Sequence, residues 1–359
     1  MDMSVFAPGK ACGLPLSAPC FNSARCASLP RPLMYVYDHT CSLANSTILA
    51  GETVHIANEK DRIDAIWRTA AANAGLLAET YESACLFVHV NLRADKAPCA
   101  PGAPLWNEGS NHVMVDLTDN SRASRPAVAA SLAMEAAVNV RTCFYRSGYD
   151  ISVPLAPKKT FPELATVHPL DRRFFLAFKG TVYIAGGAGT AERMPLVPLN
   201  DPDNGVAVVV HCFEIHGDHL KPENVEHCAK LRSTYEDYSY SDVMNTTFAL
   251  VPAGRSPASY RLGEVMSAGS IPVFVSTSTV RPFAEELEWS AFSFAFSPDE
   301  AGPDMVRFLR AVPREELETM QRKSLQAYNR MFGNSTHRYD TVARNVLEVL
   351  ERRLTHHRK

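Results

Sequence analysis

The most restrictive feature of this sequence is a strand–helix–strand pattern around residue 260. Thr247-Phe-Ala-Leu-Val-Pro252 reads as a strand, Ala258 to Ala268 as a helix, and Ile271-Pro-Val-Phe-Val-Ser276 as a second strand. A βαβ unit spans about thirty residues and joins two parallel strands through a right-handed crossover. A chain containing one belongs to the α/β class, with helices covering a parallel sheet.

The rest of the chain repeats that alternation. Leu33 to Asp38, Ala84 to Val90 and His112 to Leu117 read as strands, the middle one as a buried parallel strand. Ile63 to Ala78 and Ala127 to Val140 are helical by composition and spacing. Prolines at 154, 157, 162 and 169 argue against any regular element over residues 151–172, so the domain boundary is expected there. Beyond it, Phe174 to Phe178 and Gly205 to Val210 read as strands, and Leu309 to Arg353 as mostly helical. A length of 359 residues suits two domains. The expected layout is an irregular segment over 1–30, an α/β domain over 31–172, and a second over 173–359.

Composition removes several function classes. The net charge is −3, from 36 basic and 39 acidic residues, which gives no basic field for nucleic acid. No run of 18 apolar residues occurs, so no membrane-spanning helix is expected, and Met1 to Ala27 lacks the apolar stretch of a signal peptide. Nine cysteines without a Cys-x-x-Cys knuckle leave two readings open. They are buried thiols in a cytosolic protein, or disulfides in a lumenal one, with Cys20 and Cys26 closing a loop. Sequons at Asn45, Asn245 and Asn334 agree with the second reading.

Ligands of open α/β sheets bind beyond the carboxyl ends of the strands. In the βαβ unit that position is Val251-Pro-Ala-Gly-Arg-Ser-Pro-Ala-Ser259. Gly254 permits an unusual turn and close backbone approach, and the Arg255 guanidinium can grip a phosphate bidentately. Ser259 and Tyr260 are expected in the first helical turn, where N–H groups favour an anion. Arg261 and Glu264, three apart, share a helix face. They are either a surface ion pair worth about 0.3–0.5 kcal/mol, or a second diphosphate contact and an acceptor for ribose hydroxyls. No Walker A loop or dinucleotide fingerprint is present, and the glycines at 186, 187 and 189 are weak evidence for phosphate binding.

Several stretches, taken in order, resemble the exostosin family. They are Leu105-Trp-Asn-Glu-Gly-Ser-Asn-His112, Tyr145-Arg-Ser-Gly-Tyr-Asp-Ile-Ser-Val-Pro154, Phe178-Lys-Gly180, Tyr235-x-x-Tyr238, Asn245 to Arg255, Ser259-Tyr-Arg-Leu-Gly-Glu264, Ala268 to Val273 and Pro282-Phe-x-Glu285. The resemblance implies the GT-B fold of two Rossmann-like domains facing a cleft. It also implies an inverting glycosyltransferase, with a nucleotide sugar on the C-terminal domain and a glycan acceptor on the N-terminal one. A metal is not expected, and no cofactor beyond the UDP-sugar donor. The wording is nearest to the glucuronosyltransferase module of animal heparan sulfate co-polymerases, which makes UDP-glucuronate the expected donor and the Golgi lumen the expected location. Those enzymes continue into a second module and begin with a membrane anchor, whereas this chain ends at Lys359, so a single transfer activity is expected. Pairing with itself or another exostosin is also implied.

The resemblance suggests a Cys212–Cys228 disulfide. It also shows departures: Ala249 and Ser270 stand where relatives carry cysteines, and Ser256 where many carry a second arginine. For the leaving diphosphate the expected contacts are Lys179, Arg255, Arg261 and the N–H groups of Ser259 and Tyr260, with Gly254 shaping the turn and Glu264 at the ribose hydroxyls. For the base they are His112 or Asp150, with Asp116 and Glu108 in reserve, while Trp106 either stacks on a sugar or lies in the core. A non-catalytic subunit or chaperone of a partner transferase is the rival reading.

Overall fold

The computed structural model describes residues 21–27, 31–37, 63–91, 106–117, 132–138, 140–142, 145–183, 188–213, 222–254, 256–276, 279–333 and 339–356. These form two compact units. One draws on Met1–Val138, Cys143–Pro154 and Asn334–Lys359, the other on Asn139–Thr142 and Leu155–Gly333.

The first unit carries five parallel strands in the order of the chain: β1 (Met34–Val36), β2 (Leu86–Asn91), β3 (His112–Asp116), β4 (Met134–Ala137) and β5 (Ile151–Ser152). Val36, Val88, Val113, Val115 and Met134 are buried on it, with Trp67 from the Ile63–Asn73 helix. The last helix, Asp340–His356, packs on that same helix and buries Val346 and Leu350. Arg31 pairs with Glu351 (2.6 Å), and Arg353 donates to the Tyr149 carbonyl (2.7 Å). Those contacts give the last helix to the first unit, which differs from the division expected at 172/173. The change of unit falls at Pro154/Leu155 instead.

Three local expectations need correction. Met134–Ala137, expected as helix, is a strand hydrogen-bonded on both sides. Alanine's helix preference amounts to a few tenths of a kcal/mol per residue, less than two ladders and the burial of Met134, Ala136 and Ala137 supply. Residues 151–172, expected to be irregular, hold β5 and two 3₁₀ turns, Pro162–Leu164 and Pro169–Asp171. In both turns a proline occupies an early position, where its missing N–H costs nothing. Within 1–30, Ser23–Ala27 is a short helix, and Cys26 is bonded to Cys85, not to Cys20. Cys20 lies outside the described residues.

The second unit has the order β10-β9-β8-β6-β7, all parallel. Its strands are β6 (Phe174–Tyr183), β7 (Val206–Phe213), β8 (Thr246–Pro252), β9 (Ile271–Val275) and β10 (Phe294–Phe296). Met305, Leu309, Leu317 and Met320, from helices Pro303–Arg310 and Arg314–Met331, cover Leu176, Phe248, Leu250 and Val273. The βαβ unit forms as expected, but its helix is Arg261–Ser267, shorter than 258–268. Its end is a Schellman motif: Gly269 (φ +69°) donates to Met266 (3.0 Å) and Ser270 to Val265 (3.2 Å). The Cys212–Cys228 disulfide ties the end of β7 to the Pro222–Glu236 helix. The sequon asparagine Asn245 has a buried Oδ1, and Thr247 of the same sequon is buried with its hydroxyl donated to the Pro169 carbonyl. Asn45 and Asn334 lie outside the described residues.

Candidate functional site

The second sheet reverses its winding at β6, which has β7 on one side and β8 on the other. Such a switch point leaves a crevice beyond the carboxyl ends of the two strands, where α/β ligands bind. Among the described residues the first sheet winds one way, in the order β1 to β5, without such a point. Beyond β8 the chain folds back tightly. A Cβ on Gly254 would lie 2.7 Å from the Ala258 carbonyl, so only glycine fits. Two buried side chains pin this turn. Glu192 accepts the Ala253 N–H (2.5 Å), and Arg193 donates to the carbonyls of Ala253 (2.9 Å) and Thr181 (2.5 Å). Burial raises the Glu192 carboxyl above its ordinary range, against the pull of its hydrogen bonds from Ala253 and Ser276 and of the Arg193 charge. Both residues were missed in the sequence; the available signal was a charged pair just after the glycine cluster at 186–189.

Arg261 and Glu264 are 5% and 4% exposed, which excludes the surface ion-pair reading. Glu264 accepts the Tyr240 hydroxyl. Tyr240 opens the Tyr240–Met244 helix, whose start is held by a Ser239–Asp242 capping box, and burial raises its pKa. The Arg261 guanidinium lies 4.6 Å from the Phe178 ring and 5.4 Å from the Tyr240 ring. Among the described residues its buried Nη1 has no hydrogen-bond partner. A buried, always-charged group with an open donor is suited to an anion. Ser259 and Tyr260 precede the helix instead of lying in its first turn. The Arg261 N–H reaches Ser259 Oγ (3.4 Å) and the Leu262 N–H the Ser259 carbonyl (3.3 Å), so those donors turn inward. Arg255 lies outside the described residues.

Lys179, expected at the diphosphate, is occupied elsewhere. Its ammonium donates to the carbonyls of Tyr235 and Tyr238 (2.6 Å to the latter) and sits 3.4 Å from the Tyr235 ring centre. It caps the carboxyl end of the Pro222–Glu236 helix, and burial lowers its pKa. His211 stands beside it, sharing a hydrogen bond with Thr181 Oγ1 (2.9 Å) and lying 4.5 Å from the Tyr235 ring.

The two expected bases, His112 and Asp150, sit in the first unit in structural surroundings. His112 is wholly buried at the amino end of β3, with Nδ1 2.8 Å from His89 Nε2, between Phe87 and Trp106. Beside it, Asn111 (φ +63°) accepts the Asn22 N–H (2.6 Å) and donates to the carbonyls of Asn22 and Cys85. The Trp106–His112 stretch is therefore a knot that ties the Ser23–Ala27 segment to the sheet. Asp150 precedes β5, and its carboxylate accepts the N–H groups of Glu135 and Arg146 and both arms of the Arg146 guanidinium at 2.7–3.0 Å. With those bonds made, it has no capacity left for an acceptor hydroxyl. Glu108 lies in the turn at Asn107–Gly109 with φ +56°. Asp116 ends β3 at the carboxyl edge, level with Asn91.

A family model described as the Exostosin GT47 domain matches residues 39–311. The chain belongs to the exostosin family of glycosyltransferases. Exostosin-1 of Drosophila melanogaster is 30% identical over 268 residues, covering 70% of this chain and 33% of that protein. Exostosin-1 of Bos taurus is 25% identical over 265 residues, covering 70% and 34%. The chain thus spans about a third of the length of the curated relatives it matches. Among solved structures, a glycosyltransferase from Rickettsia africae aligns at a TM-score of 0.38 and 8% identity, over 84% of each chain. AviGT4, a glycosyltransferase of avilamycin A biosynthesis, aligns at 0.32 and 12%, over 90% of this chain and 98% of that one. Scores that low add nothing to what the strands themselves show.

The family's two Rossmann-like α/β units, as in GT-B, are both present. Of the residues expected at the donor site, Gly254, Ser259, Tyr260, Arg261 and Glu264 gather at one end of β8, and Tyr240 joins them. Lys179 is diverted to backbone carbonyls, and His112 and Asp150 belong to a different unit. Among the described residues no helix is long and apolar enough to cross a membrane, and no cluster of three metal-ligating side chains occurs.

Proposed function

We propose that the chain is an inverting glycosyltransferase that takes a sugar, glucuronate first among the candidates, from a UDP-sugar and transfers it to a glycan acceptor. The observation that carries this reading is the Tyr240–Glu264–Arg261 array beyond β8, where a buried guanidinium keeps an open donor beside an oriented carboxylate. In that reading Glu264 accepts the ribose hydroxyls, and Arg261 with Arg255 holds the diphosphate. An acceptor hydroxyl loses its proton to a base, its oxygen attacks the anomeric carbon, and the bond to the β-phosphate oxygen breaks on the opposite face. UDP leaves with the electron pair, its charge neutralised by side-chain cations with no metal required. Glucuronate and residence in the Golgi lumen are proposed from the family relationship alone.

Calorimetric titration of UDP into the chain is the test. Glu264→Ala should weaken binding about 10- to 100-fold, the equivalent of losing charge-assisted hydrogen bonds worth about 1.5–3 kcal/mol. An unchanged affinity would refute the ribose role. A turnover screen over UDP-glucuronate, UDP-galactose, UDP-xylose and UDP-N-acetylglucosamine then identifies the donor. The second reading, a non-catalytic subunit or chaperone of a partner transferase, is favoured by the structural engagement of both His112 and Asp150. UDP binding without turnover of any donor would select it.

A further inference from the structure

The segment Pro157-Lys-Lys-Thr-Phe161 is strapped across the Arg261–Ser267 helix. Pro157 fills the space a side chain at Gly263 would need: a Cβ there would lie 2.9–3.1 Å from three atoms of the proline ring. At the other end the Phe161 N–H donates to Ser267 Oγ (3.0 Å), and the Phe161 ring lies 6.0 Å from that of Tyr240. Between these anchors stand two adjacent lysines. Lys158 Nζ is 4.2 Å from the Tyr260 ring centre, and Lys159 Nζ is 5.7 Å from the Tyr240 ring centre. Both lysines are exposed, their ammonium groups face tyrosine rings, and among the described residues neither has a carboxylate ion-pair partner.

Those tyrosines belong to the candidate site. Tyr260 directly precedes Arg261, and Tyr240 touches both the Arg261 guanidinium and the Glu264 carboxylate. Three cations therefore converge on two rings, and the buried Arg261 Nη1 has no hydrogen-bond partner among the described residues. Like charges gathered this way repel one another unless an anion joins them, and the Glu264 carboxylate is already bonded to the Tyr240 hydroxyl. An ammonium over an aromatic face keeps N–H donors free for a second partner. A strap already anchored at both ends loses little further freedom when that partner arrives.

We propose that Lys158 and Lys159 belong to the donor site and bind the diphosphate of a nucleoside diphosphate together with Arg261. The proposal rests on the donor-site reading above and extends it to a segment outside the βαβ unit.

The test compares the full chain with its Lys158→Gln/Lys159→Gln variant. Glutamine keeps most of the stem that lies on the rings and removes the charge. UDP binding is followed by calorimetry at low and high salt, and uridine binding by saturation-transfer NMR. The variant should bind UDP at least tenfold more weakly, with a shallower salt dependence, while uridine binding stays unchanged. UDP affinity within twofold of the unaltered chain would overturn the strap assignment and leave Glu264 and Arg261 in place. Loss of uridine binding along with UDP would also overturn it, because the strap would then be holding the fold. If the unaltered chain fails to bind UDP, the donor-site reading goes and this proposal with it.

Discussion

Two pairs of ionisable residues show how partner satisfaction separates structural from functional roles. Arg146 and Asp150 saturate one another, and two backbone N–H groups take the remaining lone pairs of the carboxylate. Arg261 and Glu264 are just as buried, yet the carboxylate turns to Tyr240 and the guanidinium to ring faces. Spacing alone does not separate the two pairs, because it says nothing about what tertiary neighbours fill the lone pairs. His112 illustrates the same point: its ordinary pKa suits a base, but its ring nitrogen is spent on His89. Burial, and then the proximity of His112, hold the His89 pKa well below its usual value. Tyr37, stacked 4.2 Å from His89, is pushed up to about 12 by burial and stays neutral. In the unfolded chain His89 titrates near 6.5, so between the two values the unfolded state binds more protons. Stability should therefore fall as pH drops below about 6.5, by about 1.4 kcal/mol per unit from this group. Urea unfolding at pH 7.5 and 5.5 should show a smaller pH-dependent loss in His89→Phe than in the unaltered chain; equal losses would contradict the assignment.

Among elements, the strands of the second unit were the most legible. β8 and β9 are apolar runs closed by Pro252 and Ser276, with Gly269 stopping the helix between them, so each local signal agrees with the fold. β4 was misread because Met134-Glu-Ala-Ala137 is composed of helix formers. Its pairing with β3 and β5 comes from residues distant in the chain. β10 and the Tyr240–Met244 helix were missed for a related reason: both are short and held by packing more than by pattern. The Arg261–Ser267 helix is crowded on the face that meets Pro157. Gly263→Ala must displace that ring, and the expected cost is about 1–3 kcal/mol, read as a lowered urea midpoint. A neutral outcome would mean that the Pro157 strap yields freely.

The whole molecule is two α/β units whose boundaries do not follow simple chain order, since Asp340–His356 returns to the first. Truncation after Gly333 should leave the second unit folded and uncover Trp67 and its neighbours in the first. Limited proteolysis of the truncated chain is expected to digest the first unit while a fragment near 155–333 persists. Equal resistance of both units would refute the structural role of the last helix. The sequence by itself determined the α/β class, the parallel βαβ unit, the glycine turn at Gly254 and the family, because these rest on local periodicity, backbone permissiveness and ordered motifs. Only the tertiary structure decided that Lys179, His112 and Asp150 are already bonded, that Tyr240 orients Glu264, and that the last helix covers the first sheet. Hydrogen-bond satisfaction and burial depend on neighbours far along the chain, and spacing within one segment carries no record of them.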